Sequence, residues 1–225
     1  MLTRVLEPEV MDTAEDAADY DSMDHSAVNR RFVEDWAAAC RTLGLDADQI
    51  RRMLDVGTGT ARIPIEFCQR FPELRIEAID LAGEMLQLGA ANVERAGLGD
   101  RIGLRLVDAK RIPSADGAFE TVVSNTIVHH IPNPFDSLAE MVRVLAPGGL
   151  LFVRDLLRLE SAAEVEAIVD TYAANSTPSQ RQLLHQSLHA ALTVNEVAEM
   201  LEQLRLPCEW VRATSDRHWT ICGVI

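Results

Sequence analysis

"MLDVGTGTARIPIE", residues 53–66, decides the fold. An apolar run ends in an aspartate and a glycine, a second glycine follows one residue later, and the text then becomes the start of a helix. Strand, glycine turn and helix N-terminus together bring backbone N–H groups close to a ligand. Gly57 and Gly59 carry no Cβ, so the chain can turn tightly there and a ligand can lie against it. Pro64 fits a helix if it lies in the first turn.

Outward from this stretch, strands and helices alternate. RMLDVG reads as a first strand, ARIPIEFCQRF as a helix, LRIEAID as a second strand and GEMLQLGAANVERAG as a helix closed by Gly97. RIGLRLVD is a third strand and FETVVSN a fourth. NPFDSLAEMVRVLA is a helix ended by Pro147-Gly148-Gly149, and GLLFVRD is a fifth strand. Apolar strands alternating with helices imply a parallel sheet covered on both faces. Ahead of it, VNRRFVEDWAAACRTLG spaces Val28, Phe32, Val33, Trp36 and Cys40 on one helical face, with Gly44 as the stop. Residues 1–25 are acidic and weakly patterned. After Asp155 the pattern changes: residues 160–190 are helical with a break at NSTPSQ, TVNEVAEMLEQL is a further helix, and PCEWVRAT and RHWTICGVI are two closing strands.

Bulk composition narrows the function classes. The 225 residues are 48% hydrophobic, enough for one domain with a full core. A formal net charge of −14 repels phosphate backbones and anionic lipid, so neither nucleic acid nor a membrane is expected as a partner. MLTRVLEPEVMD holds acids and no long apolar segment, which argues against a signal peptide. No run reaches the roughly 18 apolar residues of a membrane span. Cys40, Cys68, Cys208 and Cys222 show no CxxC pairing and no metal spacing; they read as buried thiols in a reducing cytoplasm, and no metal is expected. Lys110, the sole lysine, is read as a loop residue, which discounts Schiff-base chemistry.

In a doubly wound sheet, ligands bind beyond the carboxyl ends of the strands. Asp80 closes the second strand 21 residues after Gly59, the distance at which an acid accepts from both ribose hydroxyls. The ligand is therefore read as a nucleoside. No Gly-Lys-Ser/Thr follows the glycines, which excludes a P-loop. Arg62 stands where a dinucleotide fingerprint needs its third glycine, so a nicotinamide oxidoreductase is disfavoured. S-adenosylmethionine, which has no phosphate, is the remaining candidate.

From Arg51 to Ile225 the chain resembles class I S-adenosylmethionine-dependent methyltransferases of the small-molecule type. The resemblance rests on DVGTGT, AIDLAGEML, VDA at 107–109, FETVVSNTIVHHIPNP, VRVLAPGGLLFVRD and the terminal RHWTICGVI, in order and at the right spacings. It implies a doubly wound, Rossmann-like, seven-stranded, mostly parallel α/β sheet with the last strand antiparallel. Helices cover both faces, a helical segment precedes the sheet and a helical insertion follows the fifth strand. A single domain is expected over residues 1–225: an N-terminal helical cap at 1–46, a cofactor-binding core at 51–156, a helical lid at 157–192, and a closing helix and strands at 193–225. Ala61 departs from the pattern, standing where a third glycine is common.

The resemblance also implies residue roles. Gly57, Thr58 and Gly59 would lie against the methionine portion, and Asp55 would anchor the loop or reach the ammonium through water. Asp80 would take the ribose hydroxyls, with Leu81 and Met85 on the adenine. Asp108 and the Ala109 N–H would bind the adenine edge, Asn125 would lie by the transferable methyl, and Tyr20 would cover the cofactor. Asp80 and Asp108 read equally as helix caps, and Met85 as core. Methyl transfer is an in-line substitution that needs alignment and exclusion of water, and a base for some acceptors. The catalytic candidates are His129, His130, Arg154 and Asp155, with Arg158 beside them; the histidine pair reads also as scaffold, and Arg154 and Asp155 as a mutual pair. Tyr172, Arg181, His185 and His189 are candidates to line a lid made by residues 1–25 and 160–190. The acceptor is read as a small organic molecule, an acid or a quinone-like ring, S-adenosylhomocysteine as the product, and the enzyme as a cytoplasmic monomer or homodimer. The alternative is a non-catalytic protein that keeps the fold and binds the nucleoside.

Overall fold

The computed structural model describes residues 2–9, 13–23 and 25–225, and of Asp16 and Tyr20 the backbone alone. Five strands arise where the apolar runs predict them: β1 (Arg52–Val56), β2 (Arg75–Asp80), β3 (Ile102–Leu106), β4 (Phe119–Asn125) and β5 (Leu145–Leu156). β6 (Val211–Ala213) and β7 (His218–Val224) close the chain. They form one seven-stranded sheet in the order β3-β2-β1-β4-β5-β7-β6. β1 lies parallel to β2 and β4, β2 parallel to β3, and β7 antiparallel to β6. The doubly wound order with an antiparallel last strand is as expected.

The chain divides into two compact units. A glycine-loop unit holds Val10–Asn125, Asp136–Val153 and Cys222–Ile225; a helical unit holds Met1–Glu9, Thr126–Phe135 and Arg154–Ile221.

In the glycine-loop unit, α2 (Ser26–Thr42) buries Phe32, Val33, Trp36 and Cys40 as its periodicity predicts. Val28 does not join them: it lies in the first turn, ahead of the aromatic cluster, and is 46% exposed. Trp36 packs edge-on against Phe67 and Phe71 with centroids 5.1 and 5.3 Å away, and its indole N–H donates to the Thr121 hydroxyl at 3.1 Å. That bond satisfies the polar end of an otherwise apolar side chain. α3 (Arg62–Arg70), with Pro64 in its first turn, and α4 (Gly83–Arg95) follow β1 and β2. α1 (Ala14–Ser22), a helix within the weakly patterned part of the expected N-terminal helical cap, is tied down by Asp21. That carboxylate accepts from both ends of the Arg62 guanidinium at 3.0 and 2.9 Å and from Asn92 at 3.1 Å.

After α5 (Phe135–Val144), β5 begins at Leu145 rather than Gly149, so Pro147-Gly148-Gly149 belongs to the strand. A Cβ on Gly149 would stand 2.7 Å from the Ala146 carbonyl oxygen and 2.9 Å from that of Glu120, so glycine is needed for close backbone approach.

The helical unit carries α6 (Ala162–Tyr172), α7 (Pro178–Ala190) and α8 (Val194–Gln203). Each starts with a reciprocal capping box, Ser161 with Glu164, Thr177 with Gln180 and Thr193 with Glu196. Each capping side chain is worth roughly 1 kcal/mol. The helices bury Val165, Ile168, Val169 and Leu188 against Leu156 and Leu159. The break at NSTPSQ separates α6 from α7 as its Ser/Thr/Pro content predicts.

The four cysteines form no disulfide; Cys40 and Cys68 are buried, with thiols pushed up to about 12 and about 11 by burial, whereas Cys208 is exposed. Among the described residues, no helix is long and apolar enough to cross a membrane.

Candidate functional site

The glycine loop leaves β1 at Asp55 and Val56, which lie beside Ala78 and Ile79 of β2. Gly57 and Gly59 adopt φ of 75° and 54°, the left-handed region that their missing Cβ permits. The Gly57 and Thr58 N–H groups donate to the Ile79 carbonyl at 2.8 and 3.0 Å. Ala61, at the N-terminus of α3, has φ 60° and is fully buried, so the position where glycine is common does carry a glycine-type backbone. Gly89 on α4 completes the packing: a Cβ there would touch Ala61 and the Gly59 carbonyl at 3.4 Å. Sequence reasoning missed Gly89, although a lone glycine inside a helical pattern often marks close backbone approach.

Two carboxylates flank the loop. Asp80 accepts from the Gly59 N–H at 2.7 Å and from the Ala82 N–H at 2.9 Å, so it fixes the loop and opens the turn into α4. Asp55 is 2% exposed, and its Oδ2 and the Thr58 hydroxyl are buried with at most each other as hydrogen-bond partner among the described residues. Burial pushes the Asp55 carboxyl up to about 7 against the opposing pull of the neighbouring Thr58 hydroxyl, and the Asp80 charge adds to the rise. Leu81 is 38% exposed, whereas Met85 is buried beside Ala17 and Ala82. Asp108 accepts from the Lys110 backbone N–H at 2.9 Å and lies 3.2 Å from its ammonium; Ala109 sits in the same partly exposed turn, and Asn125 ends β4. Tyr20 falls in α1, its side chain outside the described residues.

The helical unit assembles the catalytic candidates differently from the sequence reading. Asp155, fully buried, does not turn to Arg154; neighbours on a strand point to opposite faces. Its Oδ1 lies 2.5 Å from His129 Nδ1, and it accepts the N–H groups of Val128, His129 and Leu156. Burial alone would raise the Asp155 carboxyl, but the His129 charge and these hydrogen bonds hold it below its ordinary value. Burial likewise opposes the His129 imidazolium, and Asp155 and Glu7 overcome it, so its pKa rises. Arg154 donates through Nε to Thr220 at 3.2 Å, and the buried Arg158 pairs with Glu196 at 2.6 Å.

Glu7, which sequence reasoning missed, is the third member. It lies 3.3 Å from His129 Nε2 and 3.2 Å from His130 Nδ1, and accepts from Ser187. The lid expectation treats residues 1–25 as one segment, but residues 2–9 belong to the helical unit and α1 to the glycine-loop unit. The lid candidates in α6 and α7 are engaged within the helical unit: Tyr172 donates to Asp216, Arg181 pairs with Asp170, and His185 lies 3.4 Å from Glu166 and stacks near His189.

A left-handed glycine turn between two strand-end carboxylates coincides with a family match: residues 54–153 match the family described as methyltransferase domain. Over that stretch the chain is similar to a methyltransferase domain. The ubiquinone/menaquinone biosynthesis C-methyltransferase UbiE of Dinoroseobacter shibae is 33% identical over a stretch covering 57% of this chain and 51% of its own length. Malonyl-(acyl-carrier protein) O-methyltransferase of Geobacter sulfurreducens is 33% identical over 60% of this chain and 47% of its own length. The chain thus spans about half the length of these curated relatives. The solved structure of a SAM-dependent methyltransferase from Aquifex aeolicus superposes with a TM-score of 0.63 over 95% of this chain and 98% of that one, at 17% identity, a likeness of fold. The glycine loop and both flanking carboxylates lie within the matched residues.

Proposed function

We propose that the chain binds S-adenosylmethionine at the glycine loop and transfers its methyl group to a small organic molecule. The observation that carries this reading is a turn held in a glycine conformation above two buried oxygens, Asp55 Oδ2 and Thr58 Oγ1, that have at most each other as partner among the described residues. A buried polar atom without a partner costs roughly 1–3 kcal/mol, and the ammonium end of the cofactor, directly or through water, offsets that cost. Gly57 and Gly59 leave room for the methionine moiety. A carboxylate can accept about four hydrogen bonds, so anchoring Gly59 and accepting ribose hydroxyls are compatible roles for Asp80. Leu81 and Met85 supply apolar surface for the adenine, with Asp108 and Ala109 at its edge, Asn125 beside the methionine and Tyr20 over the cofactor. When bound, the cofactor supplies an electrophilic methyl group; the chain's own work is to orient it and exclude water.

The acceptor is a carboxylic acid or a quinone-like ring. The names of the two relatives, one a C-methyltransferase of quinone biosynthesis and one an O-methyltransferase acting on a malonyl group, support that range. A net charge of −14 supports an acceptor other than nucleic acid. The same reading makes the protein a cytoplasmic monomer or homodimer. The test supplies methyl-labelled S-adenosylmethionine with panels of carboxylic acids and hydroquinones. Label on an acceptor supports the reading; cofactor binding with no transfer to any acceptor points to the non-catalytic alternative.

A further inference from the structure

In the helical unit, Glu7, His129 and His130 bring three ligand atoms within 4.8 Å of one another. The tautomers of both histidines are set from outside the cluster. Asp155 Oδ1 lies 2.5 Å from His129 Nδ1. An ionised carboxylate accepts and does not donate, so Nδ1 carries the proton. The second proton, which the charges of Asp155 and Glu7 favour on Nε2, leaves when a cation binds, and Nε2 then presents its lone pair beside Glu7, 3.3 Å away. His130 hydrogen-bonds the Pro8 carbonyl, while its buried Nδ1 makes no hydrogen bond among the described residues. The bond to Pro8 therefore uses Nε2–H, and the bare Nδ1 faces Glu7 Oε1 at 3.2 Å. Three electron-pair donors converge on one point, and the carboxylates of Glu7 and Asp155 surround it with negative charge. Arg4, whose charge also reaches His129, donates to the carbonyl oxygens of His129, Ile131, Pro132 and Ala190, and so clamps the backbone that presents the two rings.

We propose that Glu7, His129 and His130 bind a divalent transition cation of the zinc class. Zinc bonds to histidine nitrogen and carboxylate oxygen are about 2.0–2.2 Å, which places tetrahedral ligand atoms roughly 3.3–3.5 Å apart. The separations of 3.3 and 3.2 Å match that spacing. Two histidines and one glutamate hold zinc with a fourth position for water. Asp155 stands behind His129 as the carboxylate that orients a ligating histidine. His130 is 20% exposed at its side chain, whereas its Nδ1 is buried with Glu7 and His129. The ion would tie the N-terminal segment to the turn at Val128–His130. The site uses no residue of the glycine loop, so it stands or falls apart from the proposed activity.

The test strips the full chain with a chelator, then titrates it with Zn(II) against a fluorescent indicator and with Co(II), whose visible bands report four-coordination. One equivalent binds at micromolar affinity or tighter, cobalt shows tetrahedral bands, and zinc raises the melting temperature. Glu7→Ala and His130→Ala each weaken binding at least tenfold, and Asp155→Asn by about 10–100-fold. Circular dichroism of the stripped variants checks their fold; if Glu7→Ala unfolds, the partly exposed His130→Ala decides. Substoichiometric binding, or unchanged affinity in the folded variants, overturns the proposal and leaves a shared proton at the centre of the trio.

Discussion

The glycine-loop unit and the helical unit hold their polar groups in opposite ways. Around Gly57, backbone conformation makes the site, and buried oxygens on Asp55 and Thr58 have at most each other as partner among the described residues. Around His129, side chains make the site: every oxygen of Asp155 is engaged, and the open atom is a ring nitrogen, His130 Nδ1. Unsatisfied groups mark a place that a ligand completes; a saturated carboxylate marks a part that positions others. The two regions should therefore fail differently when altered.

The largest effect is expected at Asp155. Asp155→Ala leaves His129 and three backbone N–H groups without their shared acceptor, and should lower stability by about 3–5 kcal/mol. Denaturant unfolding measures the loss; affinity for S-adenosylhomocysteine, measured under conditions where the variant is folded, should stay within twofold. A collapse of affinity in folded protein would break the separation between the two regions. Next comes Asp55. Its carboxyl is raised from 3.8 to about 7, so the folded state holds the extra proton, and this group's stabilisation is lost as pH rises between those values. Relative to the native chain, Asp55→Asn should gain on the order of 3 kcal/mol from pH 4 to pH 7, one pKa unit being about 1.4 kcal/mol. Parallel stability curves for the two proteins would show that Asp55 is not strained by burial.

Asp80→Ala sharpens the comparison further, because Asp80 both anchors Gly59 and faces the proposed ribose site. Calorimetry should show S-adenosylhomocysteine binding weakened by about 1.5–3 kcal/mol; unchanged affinity would reduce Asp80 to a cap. The smallest effect is at Arg62, whose bidentate bond to Asp21 holds α1 at the protein surface. Arg62→Ala should cost roughly 0.5 kcal/mol, visible as faster hydrogen exchange confined to α1.

Legibility in the sequence follows the same division. β1, the glycine turn and Asp80 could be read because strand periodicity and a fixed spacing carry them, and the structure adds that Arg62, excluded as a fingerprint glycine, instead grips Asp21. The capping boxes of α6 to α8 carry a local signal of the same sort, which the sequence reading passed over. Glu7 could not be read: it lies in an acidic, unpatterned stretch, and its partners are set by tertiary packing alone. Of the two readings of Arg154 and Asp155, the mutual pair does not form because adjacent strand residues face apart, and Val28 is exposed because helical periodicity does not show where the opposing core ends.

If the glycine loop is a nucleoside site specific for S-adenosylmethionine, it should discriminate sharply between ligands and depend on its missing side chains. Calorimetric titration of the native chain and of Gly57→Val with S-adenosylhomocysteine and NAD tests both properties at once. The substitution would place a branched side chain in the ligand's space, at a φ of 75° that L residues rarely adopt. The expected result is micromolar or tighter binding of S-adenosylhomocysteine to the native chain, much weaker binding of NAD, and no measurable binding to a Gly57→Val variant that remains folded. Tighter binding of NAD, or retained affinity in the folded variant, would contradict it.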